Sequence, residues 1–252
     1  MRQLLEYVNV LKITGDRDIS VNGIKYDSRR VDPGDVFVCI KGFKSDGHDY
    51  VDEAIARGAS AIVVERDVPV QDGITKILVD NTRKTLGMLA RNFYKNPSGK
   101  LFLAGVTGTN GKTTTAYLAK AILSRVCNNV ALMGTVAKMI GTEEFPAERT
   151  TSESVDSIAF LHRALSKSSD AAVMEVSSHA VSLERLSGLE FDCGVFTNLT
   201  RDHLDFHGTI DEYLDAKGKF FAMLGRDGKK EAFAFVNADD PSSVKIGSHV
   251  KH

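Results

Sequence analysis

The sequence predicts an α/β protein in two parts, and three observations predict it. Over the first hundred residues, short β-rich apolar runs alternate with stretches of helical period, the pattern of strands joined by helices. Asn96-Pro97-Ser98-Gly99-Lys100 then sets chain-breaking residues in a row and marks a boundary, giving parts 1–97 and 98–252. After it come an apolar run, a glycine-rich loop and a helical run, the order that a phosphate-binding loop needs.

Each element has its own warrant. Residues 36–40 are β-rich, 50–57 carry helical spacing that stops at Gly58, and 61–64 are again strand-like. Residues 77–79 read as another strand, and 82–94 place Leu86, Leu89, Ala90 and Phe93 at helical intervals. In the second part, 101–106 is a strand and 114–123 a helix. Residues 154–166 read as a helix, 171–176 as a buried strand with Glu175 near its end, and 193–197 as a second buried strand. Residues 183–186, between these strands, are expected to be helix or loop. Further on, 210–224 is a helix, 233–236 a strand, and 244–246 the start of one more strand. Ligands of open α/β sheets bind beyond the carboxyl ends of the strands. The loop after Val106, Glu175 and the polar run after Thr197 are therefore expected to converge on one crevice.

Composition narrows the classes. The chain has 252 residues, 42% of them hydrophobic and 26% charged, with a net charge of −1. That balance suits an ordinary globular protein and argues against a broad nucleic-acid-binding face. Cys39, Cys127 and Cys193 are scattered and lack metal-ligand spacing, so inert thiols in a reducing cytosol are expected. No apolar run approaches membrane-spanning length and the first residues carry no signal-peptide core, so a cytoplasmic protein is expected.

The stretch Gly105-Val-Thr-Gly-Thr-Asn-Gly-Lys-Thr-Thr-Thr115 carries the most chemistry. Backbone N–H groups of a glycine-rich turn, backed by a helix N-terminus, make an anion cradle. Gly108, Thr109, Asn110, Gly111 and Thr114 would line it, Lys112 would reach the terminal phosphates of ATP or GTP, and the Thr113 hydroxyl would help hold Mg²⁺. The first glycine of the strict G-x-x-x-x-G-K-T pattern falls on Val106, a departure from it. Glu175, where a strand emerges, suits Mg²⁺ as an oxygen ligand or stands as a solvated cap. His203, in Thr197-Asn-Leu-Thr-Arg-Asp-His-Leu-Asp-Phe-His-Gly208, is a metal ligand or a helix cap. His179 and His207 carry no comparable signal, and spacing alone makes Lys217 and Lys219 exposed helix lysines.

In order, Thr107-Gly-Thr-Asn-Gly-Lys-Thr-Thr114, Glu175-Val-Ser-Ser-His179, the run 197–208 and Ala216-Lys217 resemble the Mur ligases of peptidoglycan synthesis. The closest likeness is to the branch that adds the third stem-peptide residue. Tyr26-Asp-Ser-Arg-Arg-Val31, Gly34-Asp-Val-Phe-Val38 and Gly42-Phe-Lys-Ser-Asp-Gly-His-Asp-Tyr50 resemble the nucleotide-sugar domain of the same branch.

The resemblance implies a small nucleotide-sugar domain over 1–97 and an ATP-binding domain over 98–252. Ser28, Gly42, Phe43 and Lys44 would contact the uracil nucleotide; Thr150, Thr151, Ser177 and Arg185 would bind the muramyl peptide. Relatives usually have proline after that threonine pair, where this chain has Ser152. Asn198 would lie at the ATP, Thr113, Glu175 and His203 would hold Mg²⁺, and Lys217 would be carbamylated by CO₂ as a further metal ligand. Lys112, His203 and Lys217 would be catalytic. The implied reaction joins a diamino acid, meso-diaminopimelate before L-lysine, to UDP-N-acetylmuramoyl-L-alanyl-D-glutamate through an acyl phosphate. A monomer with no nucleic-acid partner and no membrane insertion is expected.

Family members carry a third, amino-acid-binding domain after the ATP-binding one. The expectation is a chain that stops inside the central domain, a fragment unable to complete ligation or a non-catalytic UDP-muramyl-peptide binding module. A folylpolyglutamate synthetase shares the Thr-Gly-Thr-Asn-Gly-Lys loop but leaves the N-terminal motifs unexplained.

Overall fold

Valine- and isoleucine-rich runs form the strands of a first unit, Met1–Lys95, in a computed structural model that describes residues 1–225 and 231–250. Its elements are β1 (Val10–Thr14), β2 (Ile24–Lys25), β3 (Val36–Val38), α1 (Val51–Ala56), β4 (Ala61–Val64), β5 (Thr75–Val79) and α2 (Thr82–Phe93). The sheet runs β1-β5-β4-β3-β2, with β2 to β5 parallel and β1 antiparallel to β5. Because β3 and β4 are enclosed, every residue of both is buried. Val51 and Ala54 of α1 close over Phe37, Ile62 and Val64 on one face. Asn81 caps α2 by accepting from the Lys84 N–H at 2.9 Å, and Leu86, Leu89 and Ala90 form its buried stripe.

The second unit, Asn96–His252, begins with β6 (Phe102–Thr107) and α3 (Lys112–Leu123). It continues through β7 (Ala131–Met133), β8 (Lys138–Ile140), β9 (Glu143–Phe145), α4 (Ser154–Ser166), β10 (Ala171–Glu175) and α5 (Ser178–Ser182). Then come β11 (Cys193–Phe196), α6 (Leu204–His207), α7 (Ile210–Phe221), β12 (Phe233–Val236) and α8 (Ser243–Gly247). Among the described residues the strand order is β12-β11-β6-β10-β7-β8-β9, parallel from β12 to β7, with the β8–β9 hairpin antiparallel at one edge. Both units are thus α/β with sheets that are mainly parallel. β6, β10 and β11 are adjacent, so their carboxyl ends open side by side. At the centre, α7 packs so tightly on the sheet that a Cβ on Gly105 would meet the Phe220 ring.

One expectation changes. Residues 244–246 are part of helix α8 rather than a strand. Val244 is 82% exposed while Ile246 is fully buried; two residues apart share a face in a strand but lie about 200° apart on a helix. Of the two alternatives for residues 183–186, the structure has the loop: they are turns, and the helix of that region lies upstream in α5, capped by the Ser177 hydroxyl accepting from the Ala180 N–H. The hairpin β8–β9 has no counterpart in the sequence reading, since its strands are three residues each and β9 is mostly exposed. No helix among the described residues is long and apolar enough to cross a membrane.

Candidate functional site

In the first unit, Ser28 is buried on the 3₁₀ turn Ser28–Arg30, and its hydroxyl donates to Glu53 Oε2 at 2.8 Å. Gly42, Phe43 and Lys44 lie on a turn closed by the Gly42 N–H donating to the Ser45 carbonyl at 2.8 Å. Phe43 stands 75% exposed there, an apolar platform on the surface.

In the second unit, β6 ends at Thr107 and α3 starts at Lys112, so four residues form the loop. Gly108 has φ +150°, and a Cβ there would strike the Thr197 hydroxyl. Gly111 precedes the helix with φ +81° and open space around it, leaving the first-turn N–H groups of α3 without a side-chain cap. The segment after β11 holds the loop in place. Thr109 N–H donates to the Asn198 carbonyl at 2.9 Å, Asn110 N–H to Asn198 Oδ1 at 2.9 Å, and Thr197 Oγ1 to the Asn110 carbonyl at 2.7 Å. Asn198 therefore acts here as a strut of the loop.

Two lysines turn onto one carbonyl. Lys112 Nζ donates to the carbonyls of Gly108 and Thr109 at 3.0 and 2.9 Å, and Lys217 Nζ donates to that of Gly108 at 2.9 Å. Contrary to the spacing-based expectation, Lys217 is only 1% exposed, whereas Lys219 is exposed. Helix α7 buries Tyr213, Ala216, Phe220 and Phe221 around it, and its Nζ lies 4.2 Å from the centre of the Tyr213 ring. Burial, and then the charge of Lys112, push the Lys217 pKa down to about 7, with Asp202 opposing. Burial also lowers that of Lys112, against Glu175 and Asp202.

Glu175 is fully buried at the end of β10. Its Oε2 accepts from the Thr113 hydroxyl at 2.9 Å, and its Oε1 accepts from the Thr135 N–H at 3.0 Å. His203 is exposed, at φ +51° before α6, with Nε2 3.5 Å from Asp202 Oδ2 and its ring edge-on to His179 at 4.8 Å. Among the described residues, no three of His, Cys, Asp or Glu gather as a metal site. The fit to Mg²⁺ rests instead on the hard oxygen pair of Thr113 and Glu175. Among the described residues the neighbouring Thr107 hydroxyl is buried without a hydrogen-bond partner, so polar capacity remains at the loop entrance.

Thr151 is buried, its hydroxyl donating to the Glu175 carbonyl at 2.8 Å and accepting from the Ser177 N–H at 3.1 Å. Arg185 Nε donates to buried Glu153 at 3.0 Å, and Arg149 donates to the same oxygen at 3.2 Å. His207, which carries no ligand signal in the sequence, is a buried structural group with Nε2 2.9 Å from the Ser178 hydroxyl. His179 stacks on Phe206 at 4.2 Å, and burial lowers its pKa. Cys39 and Cys193 are buried, and burial raises both thiol pKa values, that of Cys193 to about 11.

The loop, Glu175 and the run after Thr197 thus meet at one sheet end, as the topology predicts. Sequence reasoning missed Thr135 and Tyr213. Tyr213 precedes Lys217 by one helical turn on the apolar stripe, a readable signal. Thr135 follows a strand end by the same rule that singled out Glu175, but three-residue β7 was not recognised.

A parallel sheet with a strand–glycine loop–helix junction and a buried carboxylate on the next strand defines a phosphate-loop α/β protein. Residues 106–252 match the Mur ligase middle domain and residues 20–94 the Mur ligase family catalytic domain. The chain belongs to the Mur ligase family. It is 44% identical over 251 residues to a UDP-N-acetylmuramoyl-L-alanyl-D-glutamate--2,6-diaminopimelate ligase of Alkaliphilus metalliredigens (strain QYMF), covering 100% of this chain and 50% of that protein. A ligase of the same name from Clostridium perfringens (strain 13 / Type A) is 42% identical, covering 98% and 49%. A solved structure with that name superposes with a TM-score of 0.78 at 28% identity, covering 91% of this chain and 45% of the other. The MurF ligase of Thermotoga maritima in complex with ADP gives 0.61 at 26%, covering 94% and 50%. The chain spans about half the length of the curated relatives it matches.

Proposed function

We propose that this chain supplies the UDP-muramyl and ATP-binding parts of a ligase that joins meso-diaminopimelate to UDP-N-acetylmuramoyl-L-alanyl-D-glutamate. The observation that carries the reading is the grouping of Lys112, Lys217, Thr113 and buried Glu175 at the mouth of one phosphate loop. The names of the relatives supply the substrates. Residues 1–97 form the nucleotide-sugar domain, with Ser28, Gly42, Phe43 and Lys44 toward the uracil nucleotide. Residues 98–252 form the ATP-binding domain of a monomeric, cytoplasmic protein.

The substrate carboxylate oxygen attacks the γ-phosphorus of ATP, the bond to the β-phosphate oxygen breaks, and ADP leaves. The amine nitrogen then attacks the acyl phosphate carbon, phosphate departs, and the nitrogen loses a proton to give the amide. Two anions meet in the first step, so positive charge is what the site must provide. Lys112 leaves the loop carbonyls for the terminal phosphates, and the open N–H groups of α3 with Gly108, Thr109, Asn110, Gly111 and Thr114 cradle them. Thr113 and Glu175 would hold Mg²⁺, with His203 as a further ligand from the run after β11, and the ion when bound would add charge neutralisation. Thr150, Thr151, Ser177 and Arg185 set the muramyl peptide, with Thr151 acting through the strand end that it ties together.

Lys217 is the carbamylation site. A pKa of about 7 leaves a large share of neutral amine at physiological pH, the form able to add CO₂. As a carbamate it would offer the metal an anionic oxygen in place of a cation.

Calorimetric titration with ATP–Mg²⁺, and separately with UDP-N-acetylmuramoyl-L-alanyl-D-glutamate, tests the reading. Saturable binding of both is expected, and no binding of the muramyl dipeptide at millimolar concentration would refute it. Amide formation with diaminopimelate, and not with L-lysine, is the expected outcome for the enzyme containing this chain.

A further inference from the structure

Three contacts converge on Thr135, directly after β7. Its N–H donates to Glu175 Oε1 at 3.0 Å; its Oγ1 lies 3.1 Å from Oε2 of the same carboxylate and 3.0 Å from the Thr150 hydroxyl. Gly134 passes so close that a Cβ there would meet Glu175 Oε1, so the turn is fitted to the carboxylate. On its other side, Thr113 of the phosphate-loop helix donates to Oε2 at 2.9 Å. A buried carboxylate is therefore gripped by two threonines, and one of them reaches on to Thr150.

A hydroxyl has one proton and donates to one acceptor at a time. While the Thr135 proton points at Glu175, its oxygen accepts from Thr150, and Thr150 offers lone pairs to whatever lies beyond. A cation that takes up Glu175 lone pairs frees the Thr135 proton to point at Thr150. Thr150 then turns its own proton outward and becomes a donor. We propose that Thr135 is a positioning residue that couples cation binding at Glu175 to substrate binding at Thr150 by reversing this hydroxyl pair. The proposal rests on the reading of Glu175 as the Mg²⁺ carboxylate and of Thr150 as a muramyl-peptide contact. Linkage makes the effect reciprocal: the cation changes affinity for the muramyl peptide by the factor by which the peptide changes affinity for the cation.

The test uses Mn²⁺ as the cation probe, read by electron paramagnetic resonance. UDP-N-acetylmuramoyl-L-alanyl-D-glutamate is titrated by calorimetry with and without Mn²⁺. For the wild-type chain the two muramyl-peptide affinities should differ by about fivefold or more, the lower end of ordinary coupling. Thr135→Val keeps the N–H to Glu175 and deletes the hydroxyl; it should still bind both ligands, with the ratio falling to within about twofold of unity. Thr135→Ser should restore the wild-type ratio. A wild-type ratio of unity, or a wild-type ratio retained by Thr135→Val, overturns the coupling and leaves the substrate reading standing. Failure of the wild type to bind the muramyl peptide in either condition overturns that reading and the coupling together. Thr150→Val removes the other hydroxyl, and an unchanged ratio there overturns the coupling even where Thr135→Val fails to fold.

Discussion

Replacing Lys217 with methionine should change how stability depends on pH. In the folded chain the Lys217 pKa falls from 10.5 to about 7, so holding the ammonium buried at low pH costs roughly 5 kcal/mol at 1.36 kcal/mol per unit. A lowered pKa means that the unfolded chain binds the extra proton between the two values. Stability therefore rises with pH across that window and is lost as pH falls toward 7. Each pH unit contributes up to about 1.4 kcal/mol, so wild type should gain about 2.5 kcal/mol relative to Lys217→Met between pH 7.5 and 9.5. Methionine keeps the volume without the charge, so the variant should be the more stable protein near neutrality by a few kcal/mol. Removing Lys217 also relieves Lys112 of a like charge, which trims the difference. Urea unfolding of both proteins in CO₂-free buffer measures it, and the other titrating groups cancel in the comparison. Parallel stability curves over this window would refute the argument that burial unloads the Lys217 proton.

Gly108→Ala must force a Cβ into the Thr197 hydroxyl at φ +150°; a loss of about 1–3 kcal/mol with weakened ADP binding is expected by thermal melting and titration. Thr209→Ala removes the capping box at the start of α7, so about 1 kcal/mol of stability should go, read by denaturant midpoint. Phe220→Ala empties the fully buried ring that packs edge-on to Phe191 at 5.0 Å, with an expected cost of about 3–5 kcal/mol in urea unfolding. Labelled ¹³CO₂ should give a protein-bound carbamate carbon signal by NMR that Lys217→Gln lacks; equal signals in both would exclude Lys217 as the site.

Periodicity and breakers made the long elements legible. Residues 82–94 and 154–166 carry unambiguous stripes, and 61–64 is an apolar run too short for a helix. The grouping at the loop was legible because Lys112, Thr113 and Glu175 sit at fixed offsets from recognisable strand ends. Lys217 was misjudged on spacing because charge predicts exposure, whereas the aromatic neighbours on the same helical face decide its burial. Thr135 escaped because β7 spans only three residues and offers little pattern. Residues 244–246 looked like a strand because valine and isoleucine favour one; the turn before them decided otherwise. There the Ser242 N–H donates to Asp240 Oδ1 at 2.8 Å and starts the helix.

Val106 stands where the strict phosphate-loop pattern has its first glycine. It is fully buried inside β6, registered against Glu175 of β10 on one side and Val195 of β11 on the other. The first wall of the cradle is therefore sheet rather than loop, and the pliable part shrinks to the residues between Thr107 and Lys112. Nucleotide exchange would then have little backbone slack to draw on. Adaptation to different phosphate chains would then fall to the side chain of Lys112, which has to let go of the Gly108 and Thr109 carbonyls before it can meet an incoming anion.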